Sequence, residues 1–437
     1  YKSNYRADNI STHYDWSSWG QFSDAVEMCN NNGACRKLDS GVMCPSYRVT
    51  KEEKDLVRGR ANTLRLALSN QLPKDSFVSK GMYETMELCV SCKACQRECP
   101  MSVDMAKMKS EFLSHYYRKF SMSIKDQVIS NMPKLMWLLK FSNPIINTLN
   151  KLPVFSQIIE WFGFSSKRSL PIVENQNPLK EIYKDQPVSE KKVILFADTF
   201  NINFEIKNLM YAIKVLNKFG YQAIIPSFQN DNLNRPLCCG RTYISLGQLD
   251  KAQKELERFT KYIIDNGYNE LPVVGIEPSC LLTFNDEFKS FSNLENRNKI
   301  KNQFMLLEEF ALNEIKKGNK VKSKDFNKNV LIHGHCHQKS QNRAKSLTDL
   351  LNELNVKNSM IDSSCCGMAG SFGYSSKHYE VSKKMAHLSL VPKINNASES
   401  DYVVANGTSC RHQISDFSNK KPKHISELLF NLFETIN

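Results

Sequence analysis

No stretch of this 437-residue chain approaches the roughly 18 uninterrupted apolar residues that a bilayer span requires, so an integral membrane protein is not expected. The opening residues, YKSNYRADNISTHYDWSSWG, have neither the apolar core of a secretory signal nor the character of a basic presequence. The chain starts at Tyr1 rather than at a methionine, and it is read as one part of a longer polypeptide. A Walker loop, a G-x-S-x-G elbow and a flavin-binding signature are all missing. The formal charge is +14, yet no dense basic block with interleaved aromatics accompanies it. No nucleic acid is therefore expected as a partner; an acidic protein surface or anionic lipid is the better use of the charge.

What the chain has in quantity is cysteine, fourteen in all. A protein of this length buries real cores without covalent staples. The thiols also fall in tight clusters rather than at the scattered spacings of a disulfide framework, which argues for metal ligation in a reducing compartment. The expected location is cytoplasmic, either free or peripheral on the inner face of the cell membrane. In CVSCKACQRECP, Cys89, Cys92, Cys95 and Cys99 stand at spacings of three, three and four, closed by Pro100, which is the ferredoxin pattern for iron-sulfur ligation. A zinc-stapled scaffold is the non-redox alternative, but zinc groups its ligands in pairs across a longer loop.

A second set, CNNNGACRKLDSGVMCP, carries Cys29, Cys35 and Cys44. In two-cluster ferredoxins the last cysteine of each run ligates the other cluster. That rule groups Cys44 with Cys89, Cys92 and Cys95 as a 4Fe-4S site, and Cys29 and Cys35 with Cys99. At the second site Asn32 stands where a fourth thiolate would be, and an amide lacks the softness iron-sulfur clusters select. A 3Fe-4S cluster, or a 4Fe-4S cluster with one labile or non-cysteine-ligated iron, is expected there. Arg58 and Arg65 share a helical face and read as solvated or paired with acids.

The expected fold is α+β: a helical two-cluster ferredoxin-like domain followed by two duplicated α/β lobes. Residues 1–20 read as a lead-in and 21–120 as the helical iron-sulfur domain, with Leu56, Leu64, Leu68, Met105, Met108 and Phe112 as core stripes. Residues 121–190 read as an apolar, basic helical segment and linker, either packed on the body of the protein or making peripheral membrane contact. Residues 191–290 and 329–437 read as the two lobes and 291–328 as a connecting helix. The duplication rests on LCCGRTYISLGQLD and SCCGMAGSFGYSS, each followed by a strand that ends in a lone cysteine. Cys239 and Cys280 are 41 positions apart, and Cys366 and Cys410 are 44 apart.

VEMCNNNGACRKLDSGVMCPSYRVT, RGRANTLRLAL, MYETMELCVSCKACQRECP and the two Cys-Cys-Gly units closely resemble the iron-sulfur, C-terminal half of FAD-linked D-2-hydroxyacid dehydrogenases of the D-lactate or D-2-hydroxyglutarate type. More distantly they are similar to the iron-sulfur subunits of glycolate oxidase and anaerobic glycerol-3-phosphate dehydrogenase, and to the CCG subunit of heterodisulfide reductase. The resemblance implies an FAD on a fused or partner domain that oxidises the substrate, with this chain passing electrons to a quinone or cytochrome. Disulfide reduction at the second CCG cluster is the rival activity it implies. It also implies that Cys336, Cys365, Cys366 and Cys410 form a competent cluster site, although SCRH shortens the downstream group. Cys238, Cys239 and Cys280 make a weaker set, because Asp198 and Thr199 stand where an upstream cysteine belongs. His333, His335 and His337 alternate around Cys336; on an extended strand they would share one face and serve proton transfer or cluster tuning. The glycines of GMAGSFG are expected to let backbone approach a cluster.

Overall fold

The computed structural model describes residues 5–39, 41–139, 148, 153–226, 235–292, 297–300, 303–319 and 321–433. A helical N-terminal region precedes two parallel sheets, so the chain is α+β. In that first region the helix Val57–Leu68 turns Val57, Ala61, Leu64 and Leu68 inward. The helix Met105–Lys119 is capped by Asp104, whose carboxylate accepts from Lys107 N at 3.1 Å, and it buries Met105, Met108, Phe112 and Tyr116. The leucine and methionine stripes are thus core. The lead-in is not loose: Tyr14 and Trp16 are buried, and the buried Glu111 carboxylate accepts from the backbone N–H groups of His13 and Tyr14.

Short helices Ile124–Ser130, Met132–Leu139 and Pro153–Trp161 follow. Residues 140–147 and 149–152 of the apolar segments lie outside the described residues. Among the described residues no helix is long and apolar enough to cross a membrane.

The first sheet contains β1 (Lys192–Phe196), β2 (Gln222–Ile224), β3 (Val273–Gly275) and β4 (Phe304–Leu306), all parallel, in the order β2-β1-β3-β4. The second contains β5 (Val330–His333), β6 (Asn358–Met360) and β7 (Tyr402–Ala405) in the order β6-β5-β7, also parallel. β1, β2 and β3 therefore match β5, β6 and β7 in order and direction. Each Cys-Cys-Gly follows the second strand of its set, and each lone cysteine lies on the helix after the third: Cys280 on Pro278–Asn285 and Cys410 on Thr408–Phe417. The 291–328 stretch, expected as a connecting helix, supplies helix Leu307–Lys316 and also β4, whose three residues are too few to show a strand period.

The two sheets share one core. Val193 and Leu195 of β1 lie in the same apolar cluster as Val330 and Ile332 of β5 and as Leu428, Leu429 and Leu432 of the terminal helix Ile425–Leu432. Tyr211 stacks on Phe430 with ring centroids 5.0 Å apart, so the chain's last helix is packed on the first lobe.

A buried ionic network fixes the N-terminal region on this body. Lys93, from the middle of the cysteine run, is 1% exposed and pairs with Asp286 at 2.5 Å and Glu287 at 2.7 Å. Lys107 also pairs with Asp286, at 2.7 Å, and Arg241 holds both oxygens of Glu287 at 2.8 Å. Burial alone would raise the Glu287 carboxyl, but Arg241 and Lys93 outweigh it and hold the group well below the usual carboxylate range. Removing one partner strands buried charge, so Lys93→Met should cost about 3 kcal/mol or more. A carboxyl depressed in the folded state stabilises fully above its unfolded value of about 4.3, and that stability is lost as pH falls through the folded value. The gap in urea-unfolding free energy between the wild type and Glu287→Gln should accordingly be widest at neutral pH and narrow steadily below about pH 4.

Candidate metal centres

The tight turn of the first cysteine run depends on two non-glycine residues in the left-handed region, Ser91 at φ 48° and Lys93 at φ 60°. These reversals aim Cys89, Cys92 and Cys95 at one cavity, which Cys44 closes from the start of helix Pro45–Thr50. Met43, Val57 and Met105 line the rest of it. Backbone N–H groups of Val57, Ala94 and Met105 point at Cys44, Cys92 and Cys95 respectively. Burial pushes all three of those thiols up. Four soft donors around an apolar cavity, with amides aimed at sulfur, suit an iron-sulfur cluster, whose cations would reverse that upward shift as the protons leave.

Cys29 lies close enough to both Cys35 and Cys99 to interact with each. Burial raises the Cys29 thiol, and Cys99 adds to the effect; Cys35 is likewise raised by burial and by Cys29. Asn32 is exposed and its amide oxygen accepts from Ala34 N at 2.8 Å, so the side chain closes a turn instead of facing the thiols. Arg58 does pair with an acid, Glu53, at 2.6 Å, but it also reaches Asn31 O at 3.4 Å. Both Arg58 and Arg65 bear on Cys29 and favour its thiolate, a role that helical spacing alone did not reveal.

In the second lobe β5 ends at His333, and the chain turns at once into helix Cys336–Ser340. The expectation that His333, His335 and His337 share one strand face is corrected by that turn, which follows from a capping box. His335 Nδ1 accepts from His337 N at 3.1 Å while Gln338 Oε1 accepts from His335 N, also at 3.1 Å. His333 faces the sulfurs: one of its ring nitrogens, Cys366 Sγ and Cys410 Sγ all lie within 4.8 Å of one another, and its Nδ1 is 3.0 Å from Ser363 Oγ, while His335 bears on Cys336. The free thiol of Cys336 is hydrogen-bonded to that of Cys365, and Cys366 to both Cys365 and Cys410, so the four thiols and His333 form one group. The hydrogen bond from Cys365 lowers Cys336 to about 7 against the penalty of burial. Cys366 is lowered further by Cys365 and Cys410. The same hydrogen bonds, with burial, push Cys365 and Cys410 well up, so a metal bound here would have to displace protons from those two thiols.

The glycine of each Cys-Cys-Gly has a geometric reason. Gly240 (φ +76°) and Gly367 (φ +87°) bring their N–H groups back to Cys238 Sγ and Cys365 Sγ, both at 3.4 Å. A Cβ on Gly367 would sit 2.6 Å from Ser382 O. Of the glycines of GMAGSFG, Gly367 alone brings its backbone to a thiol; Gly373 is tight against Met368 and Ser382 and Gly370 has open space, so for these two the reading is corrected.

The first lobe brings Cys238, Cys239 and Cys280 together by side-chain hydrogen bonds, all three buried. Asp198 caps helix Thr199–Phe204 as His335 caps its counterpart, and Thr199 therefore occupies the position of Cys336, with Oγ1 3.8 Å from Cys238 Sγ. A hydroxyl in place of a thiol leaves three soft donors.

Two of the sites adjoin. Helix Cys336–Ser340 packs on Ala94–Glu98, His337 Nε2 lies 3.2 Å from Ser91 O, and Arg97 donates to Lys339 O at 2.6 Å. After burial, the nearby Cys336 is the strongest influence raising the Cys92 thiol.

The Asn32 geometry leads to the expectation that mild oxidation gives a 3Fe-4S electron-paramagnetic signal from the Cys29, Cys35 and Cys99 site alone. Cys99→Ser should alter that signal and Asn32→Cys should suppress it; an unchanged spectrum in Cys99→Ser would show the ligand grouping to be wrong.

Residues 25–103 match the family described as 4Fe-4S dicluster domain, and residues 330–415 match the cysteine-rich domain family, CCG. The chain is 24% identical to a D-2-hydroxyglutarate dehydrogenase of Pseudomonas putida over 94% of its own length and 43% of that protein's. It is 22% identical to the Haemophilus influenzae enzyme of the same name, over 95% of this chain and 44% of that one. One of the subunits of the anaerobic glycerol-3-phosphate dehydrogenase of Escherichia coli is 24% identical over 65% of this chain and 71% of its own length. The chain spans less than half the length of the hydroxyglutarate dehydrogenases it matches. It thus joins a 4Fe-4S dicluster domain to a CCG domain and is similar, along nearly all its length, to part of those dehydrogenases.

Proposed function

We propose that this chain is the iron-sulfur electron-transfer module of an FAD-linked D-2-hydroxyacid dehydrogenase of the D-lactate or D-2-hydroxyglutarate type. Its partner is a flavin domain or subunit, fused or separate, and its acceptor a quinone or cytochrome. Bound at the thiols, iron-sulfur clusters supply one-electron steps between a two-electron flavin and the acceptor. The observation that carries the reading is the junction of the two thiol sites, where Ser91 and Cys92 of the four-thiol loop meet His337 and Cys336 of the second lobe.

The residues divide the work. Cys29, Cys35 and Cys99 form the outer site, with Cys29 half-buried and Arg58 and Arg65 holding favourable charge beside it. Cys44, Cys89, Cys92 and Cys95 form the middle site, and Cys336, Cys365, Cys366 and Cys410 the exit. His333 orients toward the exit thiols and Ser363 holds its Nδ1, as an outer-sphere partner does for a ligating or tuning imidazole. Three donors and Thr199 make the first-lobe set, Cys238, Cys239 and Cys280, a structural copy in this scheme.

With the flavin partner present, Cys366→Ser should leave substrate-dependent bleaching of the flavin near the wild-type rate while slowing acceptor reduction at least tenfold. Cys92→Ser should in addition prevent substrate from reducing the second-lobe site. Stopped-flow spectra of both variants test the order, and wild-type acceptor reduction in Cys366→Ser would refute it.

A further inference from the structure

Helix Cys336–Ser340 carries a charge as well as a thiol toward the second-lobe site. Lys339 follows Cys336 by three residues, so the two side chains share a helical face. Its Nζ donates to Ser363 O at 2.7 Å and lies 3.4 Å from Ser363 Oγ, the hydroxyl that also meets His333 Nδ1 at 3.0 Å. The ammonium is thus held between the loop that leads into Cys365 and the histidine that faces Cys366 and Cys410. Gly334 leaves room for its stem, since a Cβ there would sit 3.2 Å from Lys339 Cε.

Among the described residues this lysine has no carboxylate as an ion-pair partner; Asp362, which bears on it, is exposed and pairs with Lys393 at 3.7 Å. Lys93 in the four-thiol loop is the opposite case, with two carboxylates against it. Burial lowers the Lys339 ammonium, and the charges that oppose burial are, in order, those of Cys336, Cys410, Cys365 and Asp362. In return Lys339 favours the thiolate of Cys336. The sulfurs are therefore its main counter-ions, and because Cys365, Cys366 and Cys410 are buried the attraction is weakly screened.

The first lobe supplies a contrast. Matching Asp198 to His335 and Thr199 to Cys336 through their helix caps puts Ile202 in the place of Lys339 and Ala197 in that of Gly334. Ile202 and Ala197 are both buried. The lysine and the glycine that admits it thus occur together in the copy with four thiols, and both are replaced in the copy with three.

We propose that Lys339 is the counter-charge of the second-lobe site: its ammonium favours the electron-rich state of the iron-sulfur group that Cys336, Cys365, Cys366 and Cys410 would hold, and so raises the potential for one-electron reduction there. Net charge around a cluster is one of the levers by which a protein sets that potential. The inference rests on the electron-transfer reading above and gives the exit of the relay its electrical bias. The electron comes from the partner's reduced flavin by way of the four-thiol site, and no bond forms or breaks.

The test is a potentiometric titration of the full, anaerobically purified chain, followed by electron paramagnetic resonance, with the second-lobe signal identified as the one lost in Cys366→Ser. In Lys339→Gln and Lys339→Ile the midpoint of that signal should move to more negative potential. At the wild-type midpoint the ratio of reduced to oxidised site should then fall at least about threefold. Lys339→Arg keeps the charge and should keep the midpoint, and the signals of the other two sites should stay in place in all three variants. An unchanged midpoint in Lys339→Gln with iron still bound, an equal shift in Lys339→Arg, or parallel shifts at every site would overturn the proposal. So would loss of second-lobe iron and sulfide in Lys339→Gln and Lys339→Arg alike, which would assign the lysine to assembly. Metal and sulfide analysis that found no iron at these thiols in the wild type would instead refute the relay, and the tuning role with it.

Discussion

A full positive charge stands at the turn of the four-thiol loop, in a place with no access to water. Lys93 occupies the left-handed position between Cys92 and Cys95, and its ion-pair partners among the described residues are Asp286 and Glu287 of the first lobe, with Asp104 adding a weaker favourable charge. Desolvating an ammonium is costly unless it is well paired, so the loop is stable only when docked. The docking is shared: Glu287 also takes both ends of Arg241, and Asp286 takes Lys107. Once the loop is seated there, Ser91 and Cys92 necessarily face helix Cys336–Ser340. The contact between two thiol sites is therefore a consequence of one buried charge cluster.

That view gives the first lobe a purpose that does not require metal. Arg241 directly follows its Cys-Cys-Gly, its N–H donates to Cys239 Sγ at 3.4 Å, and its guanidinium grips Glu287 and Thr283. Glu277, which begins the Cys280 helix, accepts from Thr408 N at 2.8 Å, the first residue of the Cys410 helix. In the first copy the residues around the thiols are thus engaged in holding the four-thiol loop and the second copy. The second copy keeps Cys336 and the glycine turn that exposes its sulfurs to a common centre. On the proposed reading, division of a duplicated unit between scaffold and site would account for two units that share topology but differ at Thr199 and Cys336.

Much of this was legible from the chain. Ligand spacing in CVSCKACQRECP, the helical stripes of Leu64, Leu68, Met108 and Phe112, and the repeated Cys-Cys-Gly units are local signals, and each survives as a local feature of the fold. What was hidden depends on contacts between distant residues. Lys93 looks like any loop lysine until it is found 193 positions from Asp286 in sequence and 2.5 Å away in space. Arg58 and Arg65 read as a surface face because helical spacing does not show that this face lies beside Cys29. The histidines misled because alternation implies a strand only where the backbone stays extended, and His335 with Gln338 starts a helix there instead. β4 was missed because three residues of a parallel edge strand carry no period.

The distribution of water access bears on direction. Of the thiols in the three proposed relay sites, Cys29, Cys89 and Cys336 are half-buried and the rest are buried. Cys336 lines the cleft between the lobes, and Cys89 borders a neighbouring opening shared with Ser91 and Leu246. Between these ends the chain places Cys92, Cys95 and Lys93 in a dry interior, where charge is stabilised by fixed partners rather than by solvent rearrangement. A path for electrons benefits from such an interior, since little must reorganise when charge passes. In the proposed relay, burial therefore serves electron passage, keeping the middle thiols among fixed partners.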